Sequence, residues 1–434
     1  MTRPPLSPDF CQKPFWADGL ASLPLPSQLP RQADVVVVGA GLTGLSAAHR
    51  LASAGRDVLV LDAEEPGAGA SARNAGMLGK AGRQSLLLLS REIGRDKAVE
   101  FFREQAAIFQ ESVDRIQSGN LECDFRISGR FIGALSQKHY DGLAREFEAR
   151  GKLLGEEYEL VPGSAAGEMG SDKYYGGVVV RDSASLNPAR YTRAMLLRAE
   201  KAGAKIIGHA RVTRLAQEAD RWVVSVGRHR IRAGQVLVAT NGYTDALVPW
   251  LNRRLLPINA YMVATEELPA GLAAEILPNN RTYIDNTRAT RYMQLSADGK
   301  RLVFGSKTGR RPIGGLKGLA REIHQDIMFL FPQMENVQLT HAWGGRCAAT
   351  WDMYPHVGSH EGLHYALGYC FGGLLFAPYL GRKAAERILQ SGDQETAYDR
   401  EFPLVPMHAR VLRRYTTPIA TRYYAWADRP KAKA

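Results

Sequence analysis

Six consecutive residues have the spacing of a loop that binds the phosphates of a nucleotide. Gly39-Ala40-Gly41-Leu42-Thr43-Gly44 is a GxGxxG motif that follows the apolar run at residues 34–38. In such loops the first glycine permits a tight turn, the second lets the backbone approach a pyrophosphate, and the third lets helix and strand pack closely. The N-terminus of the helix that follows offers free N–H groups and partial positive charge. The motif therefore predicts a dinucleotide site.

A carboxylate stands at the position that completes this site. Asp62 ends a second apolar run, residues 57–61, and lies 18 residues after Gly44. An acid at the end of the second strand of a βαβ unit accepts hydrogen bonds from the adenosine ribose. It also repels a 2′-phosphate, which argues against NADP. We therefore expect Asp62, with Ala63 beside it, to bind the ribose.

The next segment favours FAD over NAD. Residues 67–78 read GAGASARNAGML, and their small side chains would let the backbone lie along an extended ligand. Arg73 could neutralise a phosphate and Asn74 could form hydrogen bonds. A simple NAD-dependent dehydrogenase has no need of such a strip. We expect the strip to bind the cofactor through Gly69, Ala70, Ser71, Arg73, Asn74, Gly76 and Met77.

Four blocks of sequence are distinctive when taken together: VVVVGAGLTGLSAAHRLASAGRDVLVLDA (35–63), the GAGASARNAGML strip, VLVATNGYTDALVP (236–249) and the end block WGGRCAATWDMYPHVG…GYCFGGLLFAPYLGRKAAERIL (343–389). They resemble the D-amino-acid oxidase / glycine oxidase superfamily of flavoproteins, in particular its gamma-glutamylputrescine oxidase-like branch. The resemblance implies FAD as cofactor and hydride removal from a carbon–nitrogen bond. It also implies cofactor contacts at Val212, Ala239, Thr240, Gly368, Gly372, Gly373 and Leu374, with Phe371 departing from the usual loop.

The order of the segments predicts an α/β fold with two domains. Parallel βαβ segments at both ends enclose antiparallel segments, including a hairpin at Asp298-Gly299 and helices near 96–117, 190–202, 316–331 and 377–390. We expect a Rossmann-type FAD-binding domain built from separated segments and an inserted mixed α+β substrate domain around an antiparallel sheet. The predicted segments are 33–90, 187–245 and 340–395 for FAD, 91–186 and 246–339 for substrate, 1–32 as a Pro-rich arm and 396–434 as a basic tail.

The substrate residues are less well marked. Glycine-oxidase-type enzymes place a carboxylate-binding arginine three residues before the Thr of the 343–354 strand, where this chain has Cys347 and the arginine is Arg346. Because side chains alternate along a strand, this offset should turn Arg346 away from the flavin unless a bulge restores it. A surface or FAD-phosphate contact is the plain alternative for Arg346.

Other candidates lie around the predicted hairpin. Residues 288–311 carry seven cations against one acid, which suggests an anionic group on the substrate. The candidate anchors are Arg291, Lys307 and Arg310, and the candidate pocket aromatics are Tyr261, Tyr292 and Trp343. The plain alternatives are a solvated basic face for the cations and ordinary core for the aromatics. We name no catalytic acid or base, since flavin chemistry needs no protein nucleophile.

Composition limits the remaining classes. The 434 residues have a net charge of +12 without a basic run interleaved with aromatics, so nucleic-acid binding is disfavoured. No stretch reaches the ~20 apolar residues of a membrane span. The four cysteines form no metal-type spacing, which favours reduced thiols and the cytoplasm. Sarcosine-oxidase relatives attach flavin through a cysteine at the place of Gly345, so we expect FAD to bind without a covalent bond.

The sequence thus predicts an FAD-dependent oxidoreductase acting on a small amine or amino acid, one bearing an anionic group. A gamma-glutamylated diamine, an N-methyl amino acid or an aminophosphonate is an alternative substrate. An NAD-dependent dehydrogenase and a non-catalytic basic flavoprotein are alternatives from other classes. Oxygen or an electron carrier could accept the electrons, and the oligomeric state, a homo-oligomer included, stays open.

Overall fold

The computed structural model describes residues 3–80, 84–287, 290–310, 312, 314–392 and 394–409. Its strands are β1 (Leu6–Cys11), β2 (Gln32–Val38), β3 (Val58–Leu61), β4 (Met77–Gly79), β5 (Arg126–Ile127), β6 (Arg130–Ala134), β7 (Tyr158–Val161), β8 (Gly176–Val180), β9 (Ser183–Ser185), β10 (Lys205–Ile207), β11 (Val212–Glu218), β12 (Arg221–Val226), β13 (His229–Val238), β14 (Leu256–Thr265), β15 (Thr282–Asp285), β16 (Tyr292–Leu295), β17 (Leu302–Ser306), β18 (Leu339–Ala349), β19 (His356–His360) and β20 (Leu363–Leu367).

The helices connect these strands and cover their sheets. They are α1 (Leu42–Ala52), α2 (Ala70–Arg73), α3 (Leu86–Ile93), α4 (Arg95–Ser118), α5 (Gln137–Leu154), α6 (Pro188–Lys201), α7 (Pro249–Asn252), α8 (Leu272–Ile276), α9 (Gly315–Leu330) and α10 (Gly373–Leu389). Their ends follow local chemistry. The side chain of Asn187 caps α6 by accepting hydrogen bonds from two backbone N–H groups, and Pro188 opens that helix.

The Rossmann-type sheet has the strand order β10-β3-β2-β13-β12-β11, with β20 parallel to β13 and β19 antiparallel to β20. β2, α1 and β3 form the predicted βαβ unit, in which Val35–Val38 pair in parallel with Val58–Leu61. The β-branched side chains of β2 are buried on both faces, as parallel strands require. The predicted α/β class is therefore confirmed.

The large sheet is mainly antiparallel and has the order β1-β18-β14-β17-β16-β15-β6-β8-β7. Only β1 with β18 and β15 with β6 pair in parallel within its described strands. β16 and β17 form the predicted hairpin, with Gly299 at a positive φ of 72° in the turn. One face of the sheet packs on α9 through Phe304, Ile323 and Ile327. The opposite face is directed towards the strip that follows β3.

The segments differ from the predicted division in three places. β18 lies inside the large sheet, although residues 340–349 were expected in the FAD-binding part. α4 packs its phenylalanines into the core beneath the Rossmann-type sheet, although 91–186 was expected in the substrate part. The N-terminal arm adds β1 to the large sheet and buries Trp16, which is 4% exposed.

The predicted basic tail at 396–434 is described only as far as residue 409. Within this first part Tyr398 is fully buried, and the ring of Phe402 stacks on His356 at a centroid distance of 4.2 Å. The segment therefore contributes to the core next to β19. The Lys and Arg residues of this tail that follow residue 409 lie outside the described residues.

Candidate active site

A cavity of about 1070 Å³ lies between the carboxyl ends of the Rossmann-type strands and the exposed face of the large sheet. Its lining joins the glycine loop after β2, the strip after β3, the loop before α10 and side chains of β6, β14, β15, β16 and β18. Ligands of open α/β sheets bind at the carboxyl ends of the strands. The position of this cavity is therefore that of a nucleotide site extended towards a second sheet.

The glycine loop has the geometry that its sequence predicts. Gly39 adopts a φ of 106°, and a Cβ there would lie 3.0 Å from the carbonyl oxygen of Ala239. A Cβ on Gly44 would lie 1.9 Å from the carbonyl oxygen of Gly39, so α1 approaches β2 as only glycine allows. Gly41 precedes the first turn of α1, and the N–H of Leu42 donates to Ser71 Oγ at 3.0 Å.

Asp62 closes this end of the cavity. Its Oδ2 accepts a hydrogen bond from the backbone N–H of Ala40 at 2.7 Å, and its Oδ1 accepts one from Glu64 at 3.0 Å. Burial raises the pKa of the Asp62 carboxyl, while the backbone hydrogen bonds oppose that rise. The carboxylate is therefore fixed by the loop itself and held at the cavity wall.

The strip at residues 67–78 is fastened from several sides. Trp16 Nε1 donates to the carbonyl of Asn74 at 2.9 Å, and Trp343 Nε1 donates to that of Arg73 at 3.0 Å. Arg73 itself donates from Nε to Ala68 and from a terminal nitrogen to Gly344. These contacts tie the strip to β18 and engage Arg73 with backbone carbonyls rather than leaving it as a simple phosphate ligand.

The loop before α10 is conformationally strained. Cys370 and Phe371 adopt φ angles of 47° and 74°, a region that side chains other than glycine rarely occupy. Both residues line the cavity directly before Gly372, which precedes the first turn of α10. The predicted helix therefore begins at Gly373, four residues earlier than expected. Strain of this kind concentrates at functional sites.

Most of the expected cofactor residues line the cavity. Those in the lining are Gly39, Gly41, Leu42, Thr43, Asp62, Ala63, Gly69, Ala70, Ser71, Arg73, Asn74, Met77, Val212, Ala239, Thr240, Gly372, Gly373 and Leu374. Ala40, Gly44, Gly76 and Gly368 lie behind this lining. Gly76 and Gly368 have positive φ angles, and Gly368 donates its N–H to Asn241 Oδ1, so both shape the backbone behind the wall.

The three cationic side chains that were expected to bind the substrate form ion pairs with carboxylates of the protein instead. The Arg291 guanidinium lies 3.1 Å from Oδ2 of the buried Asp285, and Lys307 Nζ lies 2.8 Å from Oδ1 of Asp326. Arg310 forms an ion pair with Glu322. None of these three cations contributes to the cavity lining, and Arg288 and Arg311 lie outside the described residues. Carboxylates that lie outside the cation-rich segment pair with these cations, which the composition of the segment alone did not reveal.

The aromatic candidates divide into two groups. Tyr261 and Tyr292 line the cavity, and the hydroxyl of Tyr292 donates to the carbonyl of Tyr261 at 3.3 Å. Trp343 is 1% exposed and lies behind the lining, where it supports the strip through Arg73. Trp343 is thus a structural support instead of a pocket wall.

Arg346 lies at the exposed edge of the cavity. β18 pairs with β14 in regular register from Ala342 to Ala349, so no bulge turns this side chain inward. Its guanidinium lies 5.5 Å from the ring centroid of Tyr243, and both residues line the cavity mouth. Regular alternation on β18 places Gly345 and Cys347 on the opposite face.

Several lining residues were not expected from the sequence. Arg130 on β6 is 5% exposed and lines the cavity beside Gly79. Tyr369 is buried, and its hydroxyl contacts Thr43 Oγ1 at 2.6 Å. No short motif marks either residue, because an isolated arginine in a strand and a tyrosine before a helix occur in many sequences. Met262, Ile284, Thr290 and Thr308 complete the part formed by the large sheet.

The arrangement fits an extended dinucleotide cofactor. Glycines stand where a Cβ would collide, the N-terminus of α1 faces the cavity, and Asp62 offers a carboxylate beside it. Among the described residues, no group of three or more His, Cys, Asp or Glu side chains could hold a metal ion. Within the same ranges, no helix is both long and apolar enough to cross a membrane.

Comparisons with known proteins agree with this geometry. The chain is 29% identical over 406 residues to "Probable oxidoreductase OrdL" of Haemophilus influenzae, covering 92% of each protein. It is 29% identical over 405 residues to "Gamma-glutamylputrescine oxidoreductase" of Escherichia coli, covering 91% of this chain and 93% of the relative. The crystal structure of glycine oxidase from Geobacillus kaustophilus shares the fold, with a TM-score of 0.69 and 21% identity over 87% of this chain and 99% of that one.

A protein-family model described as FAD dependent oxidoreductase (DAO) matches residues 34–387. The match extends from the first Rossmann-type strand into the last helix and includes the whole glycine loop, the strip and β18. It confirms the resemblance inferred from the four sequence blocks. The chain therefore belongs to the DAO family of FAD-dependent oxidoreductases.

Proposed function

We propose that the protein removes a hydride from the carbon–nitrogen bond of a small amine or amino acid that bears an anionic group. The product is an imine, which water hydrolyses to a carbonyl compound and an amine or ammonia. The observation that carries this proposal is the continuity of the cavity. Its nucleotide end is built by the glycine loop and Asp62, and its other end is the face of the large sheet, with Tyr292 and Met262.

We propose that the residues of the nucleotide end hold FAD without a covalent bond. The N–H groups at the start of α1 would bind the pyrophosphate, and Asp62 would accept hydrogen bonds from the ribose. The N-terminus of α10 offers partial positive charge at the same cavity. When bound, FAD accepts the hydride, so no protein nucleophile is required.

The part of the cavity formed by the large sheet favours a neutral amine. Its described lining residues include no His, Asp or Glu, whereas Arg130 and Arg346 bring positive charge. A nearby cation disfavours an ammonium ion because like charges repel. The substrate nitrogen would therefore be bound with its lone pair free, the form from which hydride removal proceeds.

The relatives support the class of substrate, and they do not identify the individual substrate. The E. coli protein of 29% identity is named a gamma-glutamylputrescine oxidoreductase. A gamma-glutamylated diamine combines an oxidisable amine with a carboxylate at a distance. We keep an N-methyl amino acid and an aminophosphonate as alternatives, since both also join an amine to an anion.

We propose that the enzyme works in the cytoplasm, because the spacing of its four cysteines favours reduced thiols.

The test is an amine panel applied to the purified, FAD-loaded protein. The panel pairs gamma-glutamylputrescine with N-acetylputrescine, sarcosine with dimethylamine, and aminomethylphosphonate with methylamine. Hydrogen peroxide formation and reduction of a redox dye are measured in parallel, which also identifies oxygen or a carrier as the acceptor. We expect turnover of the anionic member of at least one pair. A clear preference for the members that lack the anion would contradict the anionic group, and flavin reduction by no amine would contradict the proposed function.

A further inference from the structure

Arg130 is a buried cation in the wall of the cavity. It opens β6, is 5% exposed, and its Nε donates to Thr282 Oγ1 on the neighbouring strand at 3.2 Å. Thr282 is itself fully buried and donates to the carbonyl of Gly129. One hydrogen bond thus fixes the Nε side of the guanidinium, and the terminal nitrogens lie towards the cavity side at Gly79.

Gly79 keeps those terminal nitrogens accessible. A Cβ at position 79 would lie 3.1 and 3.2 Å from the two terminal nitrogens of Arg130. A side chain on this residue would crowd Ser183 Oγ, at 2.7 Å from the Cβ, as well as the guanidinium, and the glycine avoids both contacts next to the space that Gly79 and Arg130 line.

Arg130 has no carboxylate partner within salt-bridge distance among the described residues. The other buried arginine, Arg150, and the half-buried Arg291 differ in this respect among the described residues. Arg150, at 8% exposure, lies 2.7 Å from Glu156, and Arg291 contacts the buried Asp285. Burial alone lowers the pKa of Arg130 to about 10, and no neighbouring acid opposes that shift. An uncompensated charge is costly to bury, so the cavity beside Arg130 has the electrostatics of an anion site.

The strip separates Arg130 from the nucleotide end. Near its start, Ser71 contacts the first turn of α1, and Ala70 and Arg73 lie against Gly345 of β18. Gly79, the residue directly after the strip, contacts Arg130 of β6, and four strands lie between β18 and β6 in the large sheet. At ~4.8 Å per strand step, this guanidinium is remote from the glycine loop that faces the pyrophosphate.

We propose that Arg130 binds the anionic group of the substrate, a carboxylate or a phosphonate, at the Gly79 end of the strip. This inference rests on the proposed function for the identity of the ligand as a substrate. The planar guanidinium suits bidentate recognition of either anion. The anchor would then come from β6, and the substrate would extend from there along Ile284 and Tyr292. Arg346, at the exposed mouth, would have no part in it.

The first experiment measures anion binding without turnover. Full-length, FAD-loaded wild type, Arg130→Met and the control Lys307→Met are heated with increasing glutarate or methylphosphonate, with chloride at equal ionic strength as reference. We expect the anions to raise Tm of the wild type and the control but not of Arg130→Met. Without anion, Arg130→Met should melt at the same temperature as the wild type or higher, since an uncompensated charge has been removed. An arginine with a purely structural role would lower Tm when replaced.

The second experiment uses the amine pairs described above. We expect Arg130→Met to raise KM for the anionic member roughly 100-fold and to change KM for the neutral member far less, with Arg130→Lys in between. Equal effects on both members, an anion-dependent Tm in Arg130→Met, or no anion effect on the wild type would each overturn the proposal. Loss of FAD from Arg130→Met would also overturn it and would assign Arg130 to the cofactor. If no amine is oxidised, the proposed function fails, while the melting experiment still decides the anion site.

Discussion

At the scale of single residues, Asp62 gives the clearest prediction. It accepts two backbone hydrogen bonds at the cavity wall, where it faces the start of α1. Asp62→Ala should lower FAD affinity by about 1–3 kcal/mol, because polar groups of the ligand would lose their partner. FAD binding is measured by the quenching of flavin fluorescence on titration. Asp57→Ala is the matched control, since Asp57 directly precedes β3, the strand that Asp62 follows. Its side chain forms an exposed ion pair with Lys205. Equal affinity in both variants would contradict the site assignment.

The same carboxylate predicts a pH dependence of cofactor binding. Burial raises the pKa of Asp62 above its ordinary value. As pH falls, Asp62 therefore takes up its proton at a higher pH than an exposed aspartate does, and the neutral acid no longer accepts hydrogen bonds with both oxygens. FAD release should begin above the ordinary titration range of an aspartate. Equilibrium dialysis across the acidic range measures it, and Asp62→Asn should bind more weakly with a flat profile. A wild-type profile as flat as that of Asp62→Asn would speak against this role.

Asp62 and Arg130 show what a sequence reveals about single residues. Asp62 could be predicted because its place is set locally, by the distance from a glycine motif to the end of the next strand. Arg130 could not, since its importance depends on an absent carboxylate and on a glycine 51 positions earlier, Gly79. Conversely, Arg291 and Lys307 looked free in the sequence because their partners in space, Asp285 and Asp326, carry no motif.

At the scale of elements, the floor of the cavity depends on one small residue in β17. The ring of Tyr292 on β16 lies across Gly305, where a Cβ would come within 2.0 Å of the ring. Gly305→Ala should displace this ring towards the cavity. We expect amine turnover, as kcat/KM, to fall roughly 10- to 100-fold, since small misplacements at a reacting site have large effects. FAD affinity should stay unchanged, because Gly305 is remote from the glycine loop.

Gly142→Ala is the control for that variant. Gly142 lies inside α5, and a Cβ there meets no atom within 4 Å. This change should leave turnover intact and stabilise the helix by up to about 1 kcal/mol. Turnover of Gly305→Ala equal to that of the control would show that Tyr292 does not shape the substrate region.

The elements themselves were predictable where their pattern is local. The βαβ unit, the hairpin at Asp298-Gly299 and α9 follow from periodicity and turn residues. The membership of β18 in the large sheet does not, because its partners β14 and β1 are brought together only by the tertiary fold. The sequence predicts only a Pro-rich arm at residues 1–32. This arm contains β1 because the tertiary fold brings it beside β18.

At the scale of the whole molecule, the two sheets meet through the strip at residues 67–78 and Gly79, which follows it. The first half of the strip contacts α1 and β18, and Gly79 contacts β6, so one piece of backbone joins the proposed cofactor and substrate regions. Trp16 from the arm and Trp343 from β18 hold this piece in place by hydrogen bonds to its carbonyls. In the proposed function, this continuous backbone would position the cofactor and the substrate against each other.

The last prediction concerns how the assembled molecule retains FAD. The resemblance to sarcosine-oxidase relatives would place an attachment cysteine at position 345, where this chain has glycine, and the regular register of β18 leaves Cys347 about 6–7 Å further along the strand. Cys370 is buried, with its Sγ donating to the carbonyl of Gly368 at 3.2 Å and lying 3.4 Å from Thr350 Oγ1. Acid precipitation should therefore release free yellow flavin, from the wild type and from Cys347→Ser and Cys370→Ser alike. A fluorescent protein band that survives denaturing electrophoresis, and disappears in one of the two variants, would instead identify a covalent link and its cysteine.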